Sequence, residues 1–193
     1  MTEQRKEKIF SILKHRQPDL TVVVENIHDP HNVSAILRSA DAVGVLEVYV
    51  VYSHEQIPKL GRKSSASAKK WVPCRPFKSI SECYAQLRQA GFSIYASHLG
   101  KTSTPLYELD LTKKVALVFG NEHRGVSNEA AQLADANFWI PMVGMIQSLN
   151  VSVACAVTLY EAFRQRQLAG CYKKSPLPSR EIRRLFSEWS QKR

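Results

Sequence analysis

Long apolar runs are missing from this sequence, and no stretch approaches the roughly 20 residues that a membrane-spanning helix needs. The opening residues MTEQRKEKIF carry charge where a secretory leader would carry an apolar core, so a cytoplasmic protein is expected. Cysteine is sparse. Cys74, Cys83, Cys155 and Cys171 form no C-x-x-C pair, which excludes a zinc ribbon or a dithiol motif and leaves reduced structural thiols. G-x-G-x-x-G and G-x-x-x-x-G-K-[ST] are both absent, so the chain has neither a dinucleotide fingerprint nor a P-loop. His28 and His31 stand three apart beside Asp29, but no third or fourth ligand follows at suitable spacing, and no metal is expected. Acidic residues are also in deficit: 17 Asp and Glu against 27 Lys and Arg leave a formal charge of +10. Such an excess favours a polyanionic partner through phosphate neutralisation. Without a long basic amphipathic helix bearing large apolar residues, an anionic membrane is the weaker candidate and nucleic acid the stronger.

What is present fits one soluble domain: 193 residues, 44% apolar and 23% charged. Ile9, Ile12 and Leu13 lie at helical spacing among basic residues from Thr2 to Gln17, and Pro18 ends that helix. Leu20 to Glu25 is a β-branched strand, followed by a polar turn and a helix with Val33, Ile36, Leu37, Ala40 and Val43 on one face, Asn32 being placed to cap it. The alternation continues with a strand from Val45 to Tyr52, a Lys/Ser-rich loop, a helix around Ile80 to Ala90 and a strand from Phe92 to Ser97. A strand from Val115 to Phe119, a short helix capped by Ser127 and a strand from Phe138 to Pro141 follow. This order predicts an α/β domain with a parallel sheet covered by helices. The helix from Asn150 to Gln167 begins VSVACAV, apolar or small on every side, and must be buried against the sheet, a partner chain or both. After Pro176 and Pro178, Ile182, Leu185, Phe186 and Trp189 form one stripe of a basic C-terminal helix.

In an open α/β sheet, ligands bind beyond the carboxyl ends of the strands. Three loops there are rich in polar groups or glycine: ENIHDPHN leading to Asn32 and Arg38, FGNEHRGVS over Phe119 to Ser127, and IPMVGMIQSLN over Ile140 to Asn150. Main-chain groups of the second and third, loosened by Gly120, Gly125 and Gly144, could bond an adenine or an amino-acid tail, with Ile140 and Leu149 sandwiching a ring.

The segments NIHDPHNVSAILRSADAVG, LVFGNEHRGVS and IPMVGMIQSLNVSVACAVTLYEAFRQR, in this order and separation, resemble the three signature motifs of the SpoU family of RNA 2'-O-methyltransferases. The likeness covers roughly residues 18 to 172. QPDLTVVVEN and AFRQRQLAGCY are similar to the branch that methylates guanosine-18 in the D-loop of tRNA. The resemblance implies the SPOUT α/β-knot, a parallel sheet with helices on both faces and a deep C-terminal trefoil knot. It divides the chain into a basic helical extension (1–17), a methyltransferase domain (18–172) and a second basic extension (173–193). It also implies S-adenosylmethionine as methyl donor, tRNA as partner and a homodimer with the site at the interface. Within the same family the target could instead be a ribosomal-RNA ribose, and a non-catalytic RNA-binding protein could share the fold.

By the same resemblance the catalytic set is Asn32, Arg38, Glu122, Ser148 and Asn150, and Ser97, Gly120, Ile140 and Leu149 line the cofactor pocket. Arg38 is assigned the activation of the ribose hydroxyl, assisted by a substrate phosphate. An arginine is nevertheless a poor base, and stabilisation of the emerging alkoxide is an equally physical role. Each residue also has a plainer reading: Arg38 as a solvated helix face, Asn32 as a cap, Glu122 as an exposed loop carboxylate, Ser148 and Asn150 as caps of the last helix. RNA contacts are expected at His31, at Lys63 in the basic segment Lys59 to Trp71, and at Arg164 and Arg166. By the resemblance the last two serve either tRNA or the dimer partner's site, and they could instead only favour the helix C-terminus.

Overall fold

The computed structural model describes residues 1–53 and 68–192. Seven strands, β1 (Leu20–Glu25), β2 (Val48–Val51), β3 (Cys74–Phe77), β4 (Ser93–Ser97), β5 (Thr104–Pro105), β6 (Val115–Phe119) and β7 (Ala136–Trp139), make one sheet. Its order is β3-β2-β1-β6-β4-β7-β5 and every pairing is parallel. β1 and β6 are buried along their whole length, as expected of central parallel strands rich in Val, Leu, Ala and Phe, and β1 buries Thr21 and Glu25 as well. Their register, Val22 opposite Leu117 and Val24 opposite Phe119, brings their carboxyl ends level.

Helices α2 (Pro30–Ala42), α3 (Ala68–Trp71) and α6 (Val151–Leu168) share one face of the sheet, where Ile36, Leu37, Cys155 and Leu159 meet Val22, Val24 and Leu117. On the other face, α4 (Ile80–Gln89) and α5 (Asn128–Leu133) pack Tyr84, Leu87 and Ala130 against Val23, Ile94 and Val118. The expected parallel sheet with helices on both faces is thus what forms. A third cluster joins α1 (Glu3–Lys14) to α7 (Ser179–Gln191) through Ile9, Leu13, Ile182, Leu185 and Trp189. It rests on Leu46 and Trp71, at the end of the sheet where the strands begin. Full burial of each large apolar side chain there contributes roughly 1.5–3 kcal/mol.

Several local expectations need correction. α2 begins earlier than the Asn32 cap predicted: Asp29 accepts from the His31 N–H at 2.8 Å and Pro30 fills the first helical turn, leaving Asn32 buried inside that turn. The segment expected to run as a loop to Trp71 is helical from Ala68, while Lys63 lies outside the described residues. β3 escaped the sequence reading because Pro76 and two exposed positions disguise an edge strand. β7 stops at Trp139, short of the expected Pro141, which has no N–H for a ladder.

The largest correction concerns Arg166, expected at the RNA. It is wholly buried at the far end of α6, and all five of its N–H donors are used. Nε donates to Leu111 O at 2.9 Å; one terminal nitrogen donates to Gln17 Oε1 at 3.1 Å and Asp19 Oδ1 at 2.6 Å; the other donates to the carbonyls of Asp19 at 3.1 Å and Lys113 at 2.5 Å. The residue pins α6 to the loops entering β1 and β6 and has no donor left for a phosphate.

Candidate active site

Where β4, β6 and β7 end, a cleft of about 380 Å³ opens. Ser97, Phe119, Gly120, Phe138, Ile140, Ser148, Leu149 and Ala154 are among its lining residues, along with His98, Asn121, Glu122 and His123. All four residues expected to hold the cofactor therefore stand around one cavity, although they come from three separate segments. Its size lies within the ordinary range for small-molecule sites, and its mixture of apolar walls with a few polar groups is of the usual kind. Gly120 is required here for steric reasons. A Cβ at that position would stand 2.1 Å from the backbone of Gly125, so the two strands of the loop can close on each other only without a side chain.

At the mouth of the cleft, three polar side chains from distant parts of the sequence bond in series. The Glu122 carboxylate accepts from the backbone N–H groups of His28 and Asp29, each at 3.1 Å, and from Asn32 Nδ2 at 2.9 Å. Asn32 Oδ1 accepts in turn from Asn150 Nδ2 at 3.1 Å. Asn150 Oδ1 caps α6 by accepting from the N–H groups of Ser152 and Val153 and from the Ser152 hydroxyl. Burial pushes the Glu122 pKa up, but the hydrogen bonds from Asn32, His28 and Asp29 outweigh it, and the pKa lies below its ordinary value. Glu122 is therefore a fixed carboxylate held against the amino end of α2, not a freely solvated one, and Asn150 is both a cap and a member of the chain.

Ser148 is exposed on the cleft wall. Arg38 is exposed on α2 and has no hydrogen-bond or ion-pair partner among the described residues, and it is not among the residues lining the cleft of a single chain. His31 is exposed at the start of the same helix. Arg164 is exposed on α6, with its guanidinium paired to Glu161 at 2.7 Å. No group of three or more potential metal ligands occurs among the described residues.

Sequence reading missed His98 on the cleft wall, and it missed Asn26 and Asn121. The last two were signalled only by their positions, Asn26 directly after β1 and Asn121 two residues after the end of β6. Asn26 has a positive φ of 50°, rare outside glycine and tolerated by asparagine.

Residues 19–160 match the SpoU rRNA Methylase family. Over 191 residues the chain is 46% identical to the tRNA (guanosine(18)-2'-O)-methyltransferase of Thermus thermophilus, covering 99% of this chain and 98% of the relative. The crystal structure of the A. aeolicus TrmH/SpoU tRNA modifying enzyme superposes with a TM-score of 0.91 at 39% identity, covering 97% of this chain and 95% of that one. The SpoU methyltransferase AviRb from Streptomyces viridochromogenes, solved in complex with the cofactor AdoMet, matches at TM-score 0.68 and 28% identity over 80% of this chain and 59% of that one. With its fold, its three loops and these similarities in agreement, the chain belongs to the SpoU methylase family.

Proposed function

We propose that the protein transfers a methyl group from S-adenosylmethionine to the 2'-hydroxyl of a tRNA ribose, that of guanosine-18 in the D-loop. The observation that carries this reading is the hydrogen-bonded series Glu122–Asn32–Asn150 at the mouth of the cleft, in a chain so similar to an enzyme of that name.

Ser97, Gly120, Ile140 and Leu149 would hold the cofactor. The cleft volume and apolar walls suit an adenosine, and the polar groups at its mouth suit the charged tail. When bound, S-adenosylmethionine supplies an electrophilic methyl group on a sulfonium. The chain's part is to present the ribose oxygen in line with it and to ease loss of the hydroxyl proton. Asn32 and Asn150, fixed by Glu122 and by the α6 cap, orient the ribose, and the exposed Ser148 bonds it from the cleft wall. Arg38 is a permanent cation with all its donors available among the described residues, which suits it to stabilising the developing alkoxide while the proton departs to a substrate phosphate or to water.

The enzyme acts as a homodimer. On α6, Val153, Tyr160 and Leu168 are exposed, and so are Val143, Met145 and Ile146 of the loop before it, an apolar set that a second copy would cover. The trefoil knot belongs to this proposal too, the segment from Ile140 to Asn150 being the stretch that threads. Residues 18–172 form the catalytic unit, working in the cytoplasm, with the two ends holding tRNA. His31, Arg164 and, from sequence alone, Lys63 add phosphate contacts.

The test is methyl transfer from labelled S-adenosylmethionine to an unmodified tRNA transcript, with the modified nucleotide mapped and a transcript carrying 2'-deoxyguanosine at position 18 as control. Label at guanosine-18 that vanishes in the control supports the reading. Transfer to ribosomal RNA alone would discard the target and keep the chemistry. Binding of tRNA without any transfer would leave a non-catalytic RNA-binding protein.

A further inference from the structure

Between Gly120 and Glu122, the side chain of Asn121 is buried and used at both ends. Its Nδ2 donates to the carbonyl of Asn26 at 2.7 Å, in the interior. Its Oδ1 accepts from the N–H groups of His123 at 2.9 Å and Arg124 at 3.4 Å, and its main chain exchanges two hydrogen bonds with Gly125, at 2.9 and 2.8 Å. The partner carbonyl is itself held in place. Asn26 sits in the left-handed region with φ 50°; its N–H donates to Val51 O at 2.9 Å, and its side chain makes two hydrogen bonds with Ser53, each at 3.1 Å. One link thus joins the loop that carries Glu122 to the loop that supplies the N–H groups of His28 and Asp29. A primary amide is suited to this link because it donates at one end and accepts at the other, whereas a carboxylate only accepts.

We propose that Asn121 is a positioning residue: its amide clamps the two loops at a fixed distance, so that the Glu122 carboxylate meets the amino end of α2 and holds Asn32 and Asn150 in line. The inference rests on the reading of Glu122 as an active-site group and adds what keeps it there. Asn26 contributes its carbonyl and its backbone conformation; its side chain serves the fold through Ser53.

This division of labour predicts a contrast between two variants of the full chain, Asn121→Ala and Asn26→Gly. Both lose buried hydrogen bonds and both lower Tm. Glycine at position 26 keeps the carbonyl and accepts a positive φ, so the clamp survives, whereas Asn121→Ala severs it. The readout is titration of the Glu122 side-chain carboxyl by carbon NMR, its signal assigned with Glu122→Gln, in the absence of RNA and methyl donor. Glu122 should titrate at higher pH in Asn121→Ala than in the parent and unchanged in Asn26→Gly. In the methylation assay kcat should fall on the order of a hundredfold in the first and only a few fold in the second. An unmoved Glu122 titration in Asn121→Ala, or an equal shift in both variants, overturns the proposal. Should Asn121→Ala not reach the native circular dichroism spectrum, Asn121→Ser, whose hydroxyl is too short to serve both ends, takes its place in the same comparison. Because the titration needs no catalysis, it decides the clamp even if the chain proves to methylate nothing; absence of methyl transfer in the parent would count against the function alone.

Discussion

The two ends of the sheet use polar chemistry in opposite ways. Where the strands begin, Arg166 spends all five donors inside the protein, and Arg16 lies buried against the Trp189 ring, with its guanidinium on Asp41 at 2.5 Å and on Val45 O at 2.8 Å. Where the strands end, Glu122 is tied to Asn32, and Asn32 to Asn150, while Glu122 still lines an open cleft; Arg38, exposed on α2, has no partner among the described residues. The first arrangement gives stability and has nothing to offer a ligand. The second forgoes some stability to leave groups available, as functional sites commonly do. Arg16, Arg38 and Arg166 share a residue type, which does not tell them apart; the availability of their donors does.

Two arginine substitutions put the greatest strain on this contrast. Arg38→Ala should reduce kcat/KM by a factor on the order of a thousand or more with Tm, dimerisation and cofactor affinity nearly unchanged; a loss of fold would mean that Arg38 is structural. Arg166→Met should do the reverse, lowering stability to urea by about 3–5 kcal/mol because Asp19 and three carbonyls lose their partner. Normal stability combined with a selective defect in RNA binding would restore Arg166 to the RNA surface.

A smaller effect should sharpen the picture at the basic ends. Residues 1–16 and 173–193 hold twelve Lys and Arg against four Asp and Glu, which is most of the net charge of +10. Arg180 and Arg183 are exposed on α7. Replacing both with Ala should raise KM for tRNA several fold and flatten its dependence on salt by about two units of the logarithmic slope, leaving kcat alone. A change in kcat without one in KM would place these residues near the chemistry.

The mildest expectation concerns pH. The folded-state pKa of Glu122 lies below the ordinary 4.5, so ionisation favours the folded protein. That contribution is complete above 4.5 and disappears as pH falls through the lowered folded value. Acid titration followed by circular dichroism should show the parent losing more stability over this window than Glu122→Gln; equal losses would mean that Glu122 is solvated in the folded protein.

Much of the fold was legible because its signals are local. Leu20 to Val24 and β6 are unbroken β-branched or apolar runs, Ser127 and Asn150 cap where expected, and the stripe from Ile182 to Trp189 has one clear period. β3 and β5 were not read, one being an edge strand containing Pro76 and the other only two residues long. Periodicity could not place Arg166, because its acceptors are carbonyls of Asp19, Leu111 and Lys113, far away in sequence. Of the candidate site, resemblance named Asn32, Glu122 and Asn150, but their contact across 90 and 118 residues of chain is a product of the fold. Asn121 stayed hidden because a buried amide beside a recognisable glutamate gives no pattern of its own.

The helix α6 joins the two ends in a further sense. Asn150 caps one terminus, Arg166 lies near the other, and at about 1.5 Å per residue they stand about 24 Å apart along a single rod. Its far end has no freedom to slide or rotate while five hydrogen bonds grip Arg166. The helix therefore works as a gauge: adding or removing one residue within it would turn Asn150 by about 100° relative to Arg166. Either Asn150 at the mouth of the cleft or the anchor at the base would then be out of phase. The length of α6 is as much a part of the active site as any side chain in it.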